Sequence, residues 1–137
     1  MLPENELIQE TREWLLKAEE DLELARYALT AEKPFIAPAL FHCQQAAEKA
    51  LKGFLTWHGV SFRKTHSIEE LGEQCVGLEP SMMQVVAKAV PLTEYAWRFR
   101  YPAAPFAPAM EEATQAITIA EEVLKTVLNL LPKEVAE

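Results

Sequence analysis

The sequence predicts an all-α protein, an up-and-down antiparallel bundle of four to five helices. Three long stretches repeat apolar residues every three or four positions, which is the spacing of one face of an α-helix. No stretch alternates apolar and polar residues as a half-buried strand would. The connections between the stretches are short. Long amphipathic helices joined by short turns bury their apolar faces most simply against one another, which predicts a bundle.

The first two helices are separated by the segment AEKP. The first is expected from Glu6 to about Ala31, and the second from about Phe35 to Trp57. Pro34 comes just before the second helix, where proline is tolerated, and Gly59 is expected to end it. The apolar stripe of the first helix consists of Leu7, Ile8, Trp14, Leu15, Ala18, Leu22, Ala25 and Leu29.

Two capping patterns predict the third and fourth helices. Ser67 followed by Glu70 is the pattern of a capping box, and Gly77 is expected to close a helix of about ten residues. Ser81 followed by Gln84 repeats the pattern and predicts the start of the fourth helix.

Prolines shape the rest of the chain. Pro91 lacks an amide donor, so we expect the fourth helix to be kinked or split there before it continues through LTEYAWRF. The segment RYPAAPFAP then ends it. The last helix is predicted from about Pro108 to Leu131.

Composition limits the classes of function. With 137 residues, 50% of them hydrophobic, the chain is expected to form one domain over residues 1–137. Its formal net charge of -8 argues against strong non-specific binding of nucleic acid, which depends on positive charge. The absence of a long apolar run and of a leader pattern predicts no membrane attachment and a cytoplasmic location.

The sequence contains no recognised metal or cofactor motif. Cys43 and Cys75 match no metal-binding spacing, and we expect them to be free buried thiols. The Glu-x-x-His element of di-iron bundles is absent, as are the glycine-rich phosphate-binding loops. We therefore predict no metal, no cofactor and no catalytic residue.

A row of polar residues runs along the second helix within FHCQQAAEKALKGFL. Residues three, four and seven apart share a helix face, so these groups form one strip, here called the polar ladder. Its spacing alone favours a solvated face on which Glu48 pairs with Lys52. The same groups also suit a phosphate or a base edge. The polar ladder consists of His42, Gln45, Glu48, Lys49 and Lys52.

Small residues on the same helix leave a further alternative open. Ala46, Ala47, Ala50 and Gly53 would let another helix approach closely, from this chain or from a second copy. The polar ladder would then be a buried polar seam.

Aromatic and basic residues adjoin the RYP segment. We expect Trp97 and Phe99 to pack, whereas Arg100 is a candidate clamp for phosphate or a base. His66 directly precedes Ser67 and is expected to help position the start of the third helix.

Four blocks together resemble the HEPN domain family: AEEDLELARYAL, HCQQAAEKALKGFL, THSIEEL and RYP. They occur in the family's order and cover the chain from about Trp14 to the last helix. The resemblance implies an HEPN-like helical bundle, commonly a homodimer, often encoded beside a minimal nucleotidyltransferase in a two-protein module of the toxin-antitoxin type. It also implies a groove for a nucleotide or a protein partner, lined by His42, Gln45, Glu48, Lys49, Lys52, His66, Arg100 and Tyr101.

The ribonucleases of this family carry an arginine, four to six residues, and then a histidine. Neither Arg98 nor Arg100 is followed by a histidine at that spacing, and Arg63 lies too close to His66. Since RNA cleavage needs a positioned acid and base, we predict a non-enzymatic binding protein.

Two alternatives to this prediction remain. One is a metal-independent endoribonuclease in which Arg100 meets His42 or His66 in space rather than in sequence. The other is a purely structural dimeric subunit.

Overall fold

The computed structural model describes residues 3–99 and 107–136, and the regular secondary structure in these ranges is helical. A 3-10 turn at Pro80–Met82 precedes α4, and a 3-10 segment at Val90–Ala96 follows it. The described residues contain no strand, so the predicted all-α bundle is confirmed. The helices are α1 (Glu4–Ala28), α2 (Ile36–Trp57), α3 (Ile68–Leu78), α4 (Met83–Ala89), α5 (Met110–Leu130) and α6 (Lys133–Ala136).

Helices α1 and α2 form an antiparallel pair. His42, near the start of α2, contacts Asp21, whereas Lys52, near its end, lies over the ring of Trp14. A Cβ added at Gly53 would lie 3.2 Å from the Leu15 side chain. Glycine at this position therefore lets the two helices approach closely.

The chain between α2 and α3 runs back along α2. The carbonyl of His66 accepts a hydrogen bond from Gln44 at 3.1 Å. Helix α3 then packs against α2, and the Cys75 thiol donates to the Leu51 carbonyl. This return brings the residues before α3 alongside the middle of the polar ladder.

Apolar residues from all six helices form one core cluster. Cys43 and Cys75 lie in it as free thiols, and burial raises the pKa of each to about 12. The largest fully buried apolar side chains are Phe54, Leu40, Leu51, Leu55, Ile68, Leu71, Met82, Val123, Val127 and Val135.

The end of α2 and the kink at Pro91 agree with the sequence. Gly59 has a φ of 68°, the left-handed conformation that glycine adopts at low cost. Its N–H donates to the Thr56 carbonyl and that of Val60 to the Leu55 carbonyl, as in a Schellman motif. Pro91 falls in the first turn of the 3-10 segment that replaces regular helix after α4.

The two predicted capping boxes differ in outcome. Ser67 accepts a hydrogen bond from the Glu70 amide, but the Glu70 carboxylate pairs with Arg63 instead of reaching back. The prediction for Ser81 is wrong, because its hydroxyl donates to Glu79 and α4 begins only at Met83. Pro80 starts a 3-10 turn there and takes the place of a capped α-helical start.

Two helix boundaries differ from the prediction. Helix α1 ends at Ala28 and not near Ala31. Gly77 does not close α3, which continues to Leu78 and ends at an extended Glu79. Helix α6 was not predicted, since its four residues are too few to show a period. None of the helices in the described ranges is long and apolar enough to cross a membrane.

Candidate functional site

Two residues of the polar ladder, Glu48 and Lys52, are buried, and the other three are partly buried. Glu48 is 3% exposed and Lys52 is 8% exposed, and the neighbouring Gln44 is fully buried. Helix α2 packs against α1, α3, α5 and the 3-10 segment, which leaves little of its circumference to solvent. The solvated face favoured by spacing alone is therefore wrong for these residues, although Glu48 does pair with Lys52.

The first of two polar clusters is the Glu48 network, formed by Gln44, Glu48, Lys52 and His66. The Glu48 carboxylate accepts from Lys52 Nζ at 2.9 Å, from Gln44 Nε2 at 3.0 Å and from His66 Nδ1 at 2.8 Å. Burial alone would raise the pKa of Glu48. The hydrogen bonds from Lys52, Gln44 and His66 outweigh burial and lower this pKa below its usual value.

The Lys52 ammonium has further partners on its other side. It lies 5.5 Å from the ring centroid of Trp14 and 5.8 Å from that of Phe62. A carboxylate and two aromatic rings together offset part of the hydration that this ammonium loses on burial.

The second cluster is the Asp21 network, formed by Asp21, His42 and Lys49. Asp21, on α1, accepts from His42 Nδ1 at 2.8 Å and from Lys49 Nζ at 2.6 Å, one bond to each carboxylate oxygen. An ionised carboxylate only accepts, so Nδ1 carries the proton. In the neutral imidazole, Nε2 is then a hydrogen-bond acceptor.

Sequence reasoning missed Asp21 and Gln44. Asp21 lies three residues after Ala18 and four before Ala25, both fully buried, and so shares their face of α1. An acidic residue on this apolar stripe could have indicated from the sequence that Asp21 has a buried partner. Gln44 fell outside the ladder's spacing. It nevertheless links the ladder together, because its carbonyl accepts from Gln45 Nε2 at 2.6 Å.

The structure brings together most of the predicted site residues. His42 and Lys49 meet in the Asp21 network, while Glu48, Lys52 and His66 meet in the Glu48 network, to which Gln45 is attached through Gln44. Arg100 and Tyr101 lie outside the described residues.

A third cluster was not anticipated and involves Tyr95, Arg98 and Glu112. Arg98 donates to the Glu112 carboxylate at 2.8 Å, and the Tyr95 hydroxyl donates to the same oxygen. Burial and the adjacent Glu112 raise the pKa of Tyr95. The hydrogen bond from Tyr95, followed by that from Arg98, lowers the pKa of Glu112 against the effect of burial.

The aromatic residues near this cluster have different environments. The Arg98 guanidinium lies 4.7 Å from the ring centroid of Phe99, which is partly buried against the core as expected. Trp97 was also expected to pack, but it is 53% exposed. Trp97 follows a 3-10 segment, whose three residues per turn do not place it on the buried face that an α-helix would have given it.

A cleft of about 340 Å³ separates the start of α2 from the residues that end the 3-10 segment. His42 of the Asp21 network forms part of its wall, and most of the other lining residues are aromatic or apolar. The cleft is lined by Ala37, Pro38, Phe41, His42, Tyr95, Ala96, Trp97 and Phe99. Within the described ranges, no group of three or more His, Cys, Asp or Glu side chains is arranged to hold a metal ion.

Comparisons with known proteins point to one family. The model of the HEPN domain matches residues 11–131. Among solved structures, the chain is similar to a crystal structure described as an archaeal HEPN homologue, with 30% sequence identity and a TM-score of 0.67. That alignment covers 87% of this chain and 95% of the archaeal one. A search of curated proteins found no significant match.

Proposed function

Because this chain belongs to the HEPN domain family, we propose that it is a non-enzymatic binding protein that holds a nucleotide at the outer edge of the polar ladder. We further propose, from the resemblance of its motifs, that it acts in the cytoplasm as a homodimer. Its protein partner would be a minimal nucleotidyltransferase, in a module of the toxin-antitoxin type.

The pairing of the cations is the observation that supports binding over catalysis. Lys49 donates to Asp21, Lys52 to Glu48 and Arg98 to Glu112, each at 2.6 to 2.9 Å. A ribonuclease stabilises the phosphorane that forms during cleavage most strongly with positive charge that no other group compensates. Each of these three cations is paired with a carboxylate, which lowers the net positive charge available to a phosphorane, whereas a hydrogen bond to a bound phosphate needs only a free N–H donor.

Some groups of the polar ladder retain capacity for a ligand. The Lys49 side chain is 22% exposed, and its ammonium has three donors, one of which is directed to Asp21. His42 has its second ring nitrogen, and Gln45 has its carbonyl oxygen. In the proposal these three residues contact the nucleotide, and Glu48, Lys52 and His66 fix the position of α2 beneath it. The family motif adds Arg100 and Tyr101 to the ligand-binding set.

The proposal is tested by thermal unfolding with and without a panel of ribonucleotides, alongside the mass in solution. A ligand at 100 times its Kd adds about 2.7 kcal/mol of stability, which in a domain of this size raises the Tm by several degrees. We expect Lys49→Ala to abolish that ligand-induced shift. Lys125→Ala, which removes an exposed lysine on α5, is the matched control and should keep it. No shift with any nucleotide would overturn nucleotide binding.

A structural subunit is the second candidate, and the burial of the Glu48 network favours it. In that case Lys49→Ala and Arg100→Ala would reduce the dimeric mass, and no nucleotide would change the Tm. Cleavage of RNA that survives a chelator and disappears in Arg100→Ala would instead contradict both non-enzymatic roles.

A further inference from the structure

We propose that the cleft beside His42 binds the planar ring of a nucleobase through stacking on its aromatic walls and a hydrogen bond from the ring's edge to His42 Nε2. The inference rests on the proposed function and adds to it the place where the base binds. It also gives the chemical class of the bound group, a nitrogen heterocycle with an N–H donor on its edge. Adenine is the probe with this chemistry.

The walls of the cleft are suited to a flat ring. Phe41, on α2, is 38% exposed, and Trp97, across the cleft, is 53% exposed. Phe99 completes the aromatic lining. Rings of this kind bind other flat π-systems by stacking, and the volume of about 340 Å³ is within the usual range of small-molecule sites.

His42 is the polar group that orients a ligand in this cleft. Asp21 holds its Nδ1, and the same carboxylate is held by Lys49, so the imidazole is fixed in one orientation. Phe41 also packs edge-on to it, with ring centroids 5.4 Å apart. Among the described residues, Nε2 has no hydrogen-bond partner, although the side chain is partly buried.

The protonation pattern of His42 selects the ligand. With its proton on Nδ1, the neutral imidazole offers a lone pair at Nε2 and therefore needs a donor. A carboxylate or a lipid tail cannot supply one. The exocyclic amine of adenine can, and its ring can stack on the walls of the cleft at the same time.

The position of Lys49 links this subsite to the proposed function. Lys49 and His42 bond to the two oxygens of one carboxylate, so the ammonium and the imidazole lie close together. In this arrangement the base occupies the cleft and the phosphate lies on the side of Lys49, whose remaining N–H donors would bind it.

The test uses the full chain and isothermal titration calorimetry with three probes: adenosine, N6,N6-dimethyladenosine and ribose 5-phosphate. We expect adenosine to bind and the dimethylated nucleoside, which lacks the amine donor, to bind at least about tenfold more weakly. Ribose 5-phosphate, which has no base, should bind more weakly than adenosine. Equal affinity for both nucleosides would overturn the hydrogen bond to His42.

Three variants, one of them a control, locate the subsite. Trp97→Ala removes an exposed wall and should weaken adenosine binding at least about tenfold. Tyr27→Ala removes another aromatic side chain, which is 77% exposed on α1 and does not line the cleft, and should leave binding unchanged. His42→Phe keeps a ring but loses the acceptor, and should abolish the preference for adenosine over its dimethyl form.

The outcomes separate this inference from the proposed function. If nucleotides bind equally well to Trp97→Ala and to the unaltered chain, the subsite is overturned and nucleotide binding stands. If Trp97→Ala loses the dimer but keeps its adenosine affinity, the cleft is an interface and the inference fails. If adenosine binding depends on Trp97 but Lys49→Ala changes the affinity for no nucleotide, the subsite for the ring stands and the phosphate role of Lys49 fails. If neither nucleosides nor nucleotides bind, both proposals fail.

Discussion

Glu48 and Lys52 form an ion pair of 2.9 Å on consecutive turns of α2, with both side chains removed from solvent. The usual i,i+4 pair lies on a solvated helix surface and contributes little, because water competes for both charges. Here, if one of the two side chains were removed, the charge of the other would stay buried and water could not hydrate it. The loss of either one is therefore much more costly than the geometry of the pair alone suggests.

Glu48→Gln is expected to lower the free energy of unfolding by about 3 kcal/mol, since it leaves the Lys52 ammonium buried without its counter-charge. The urea midpoint measures this effect. Glu122→Gln is the control, because the Lys88–Glu122 pair is exposed on both sides and should contribute less than about 1 kcal/mol. Adding Lys52→Met to Glu48→Gln should recover part of the loss. Equal costs for the two single substitutions would contradict this view of the buried pair.

The stability of the protein should fall in acid partly because of Glu48. Its pKa in the folded state lies below the ordinary value of 4.5, so on acidification the unfolded chain binds a proton first. This contribution is complete above about pH 5.5 and is lost as the pH falls through the folded-state pKa.

Unfolding free energies between pH 6 and pH 3 test this pH dependence. We expect a shallower fall for Glu48→Gln than for the unaltered chain, since the variant has no carboxylate at that position. The pKa of Glu112 is also lowered, but this carboxylate is present in both proteins, so its contribution to the pH dependence cancels in the comparison. Parallel curves would show that Glu48 has the same pKa in the folded and unfolded states.

Gly72→Ala is expected to destabilise the protein by about 1–3 kcal/mol. A Cβ at Gly72 would clash with Cγ1 of Val86, so the Val86 side chain or the packing of α3 against α4 would have to shift. Gly77 lies in the same helix, and a Cβ there would meet nothing within 4 Å. Gly77→Ala should therefore be neutral or raise stability by up to about 1 kcal/mol, through its higher helix propensity. Urea unfolding of both variants distinguishes close packing from a general intolerance of α3 to alanine.

Ser67→Ala should cost about 1 kcal/mol, because the amide of Glu70 loses the oxygen that caps it at the start of α3. Ser81→Ala should cost only a few tenths of a kcal/mol, since Ser81 is exposed and caps no helix. Thermal denaturation of the pair is the measurement. A similar loss in Ser81→Ala would mean that the serine caps α4 in solution, as its sequence pattern predicts.

The thiols of Cys43 and Cys75 should not react with a disulfide reagent in the folded protein. Burial raises the pKa of each to about 12, and the core excludes the reagent. Both should react in urea, so that the labelling rate reports unfolding. Fast labelling of either thiol without denaturant would show local opening of α2 or α3.

Much of the fold followed from local pattern. The apolar stripes of α1, α2 and α5 and the signals at Gly59, Ser67 and Pro91 all act within a few residues of one another. The errors also arose locally. Ser81 has the residues of a capping box, but the adjacent Pro80 begins a 3-10 turn, and Gly77 sits in a helix that its glycine could equally well have ended.

The sequence by itself determined where the long helices form and which polar residues share one face of α2, because helical periodicity depends only on spacing along the chain. Only the tertiary structure decided that Glu48 and Lys52 on this face are buried, that Asp21 on α1 holds His42 and Lys49, and that His66 reaches Glu48 across the returning loop. These contacts join residues 18 to 28 positions apart. Whether a polar group faces water or a partner depends on which helix packs against it. The spacing of residues along one helix does not determine which other helix packs there.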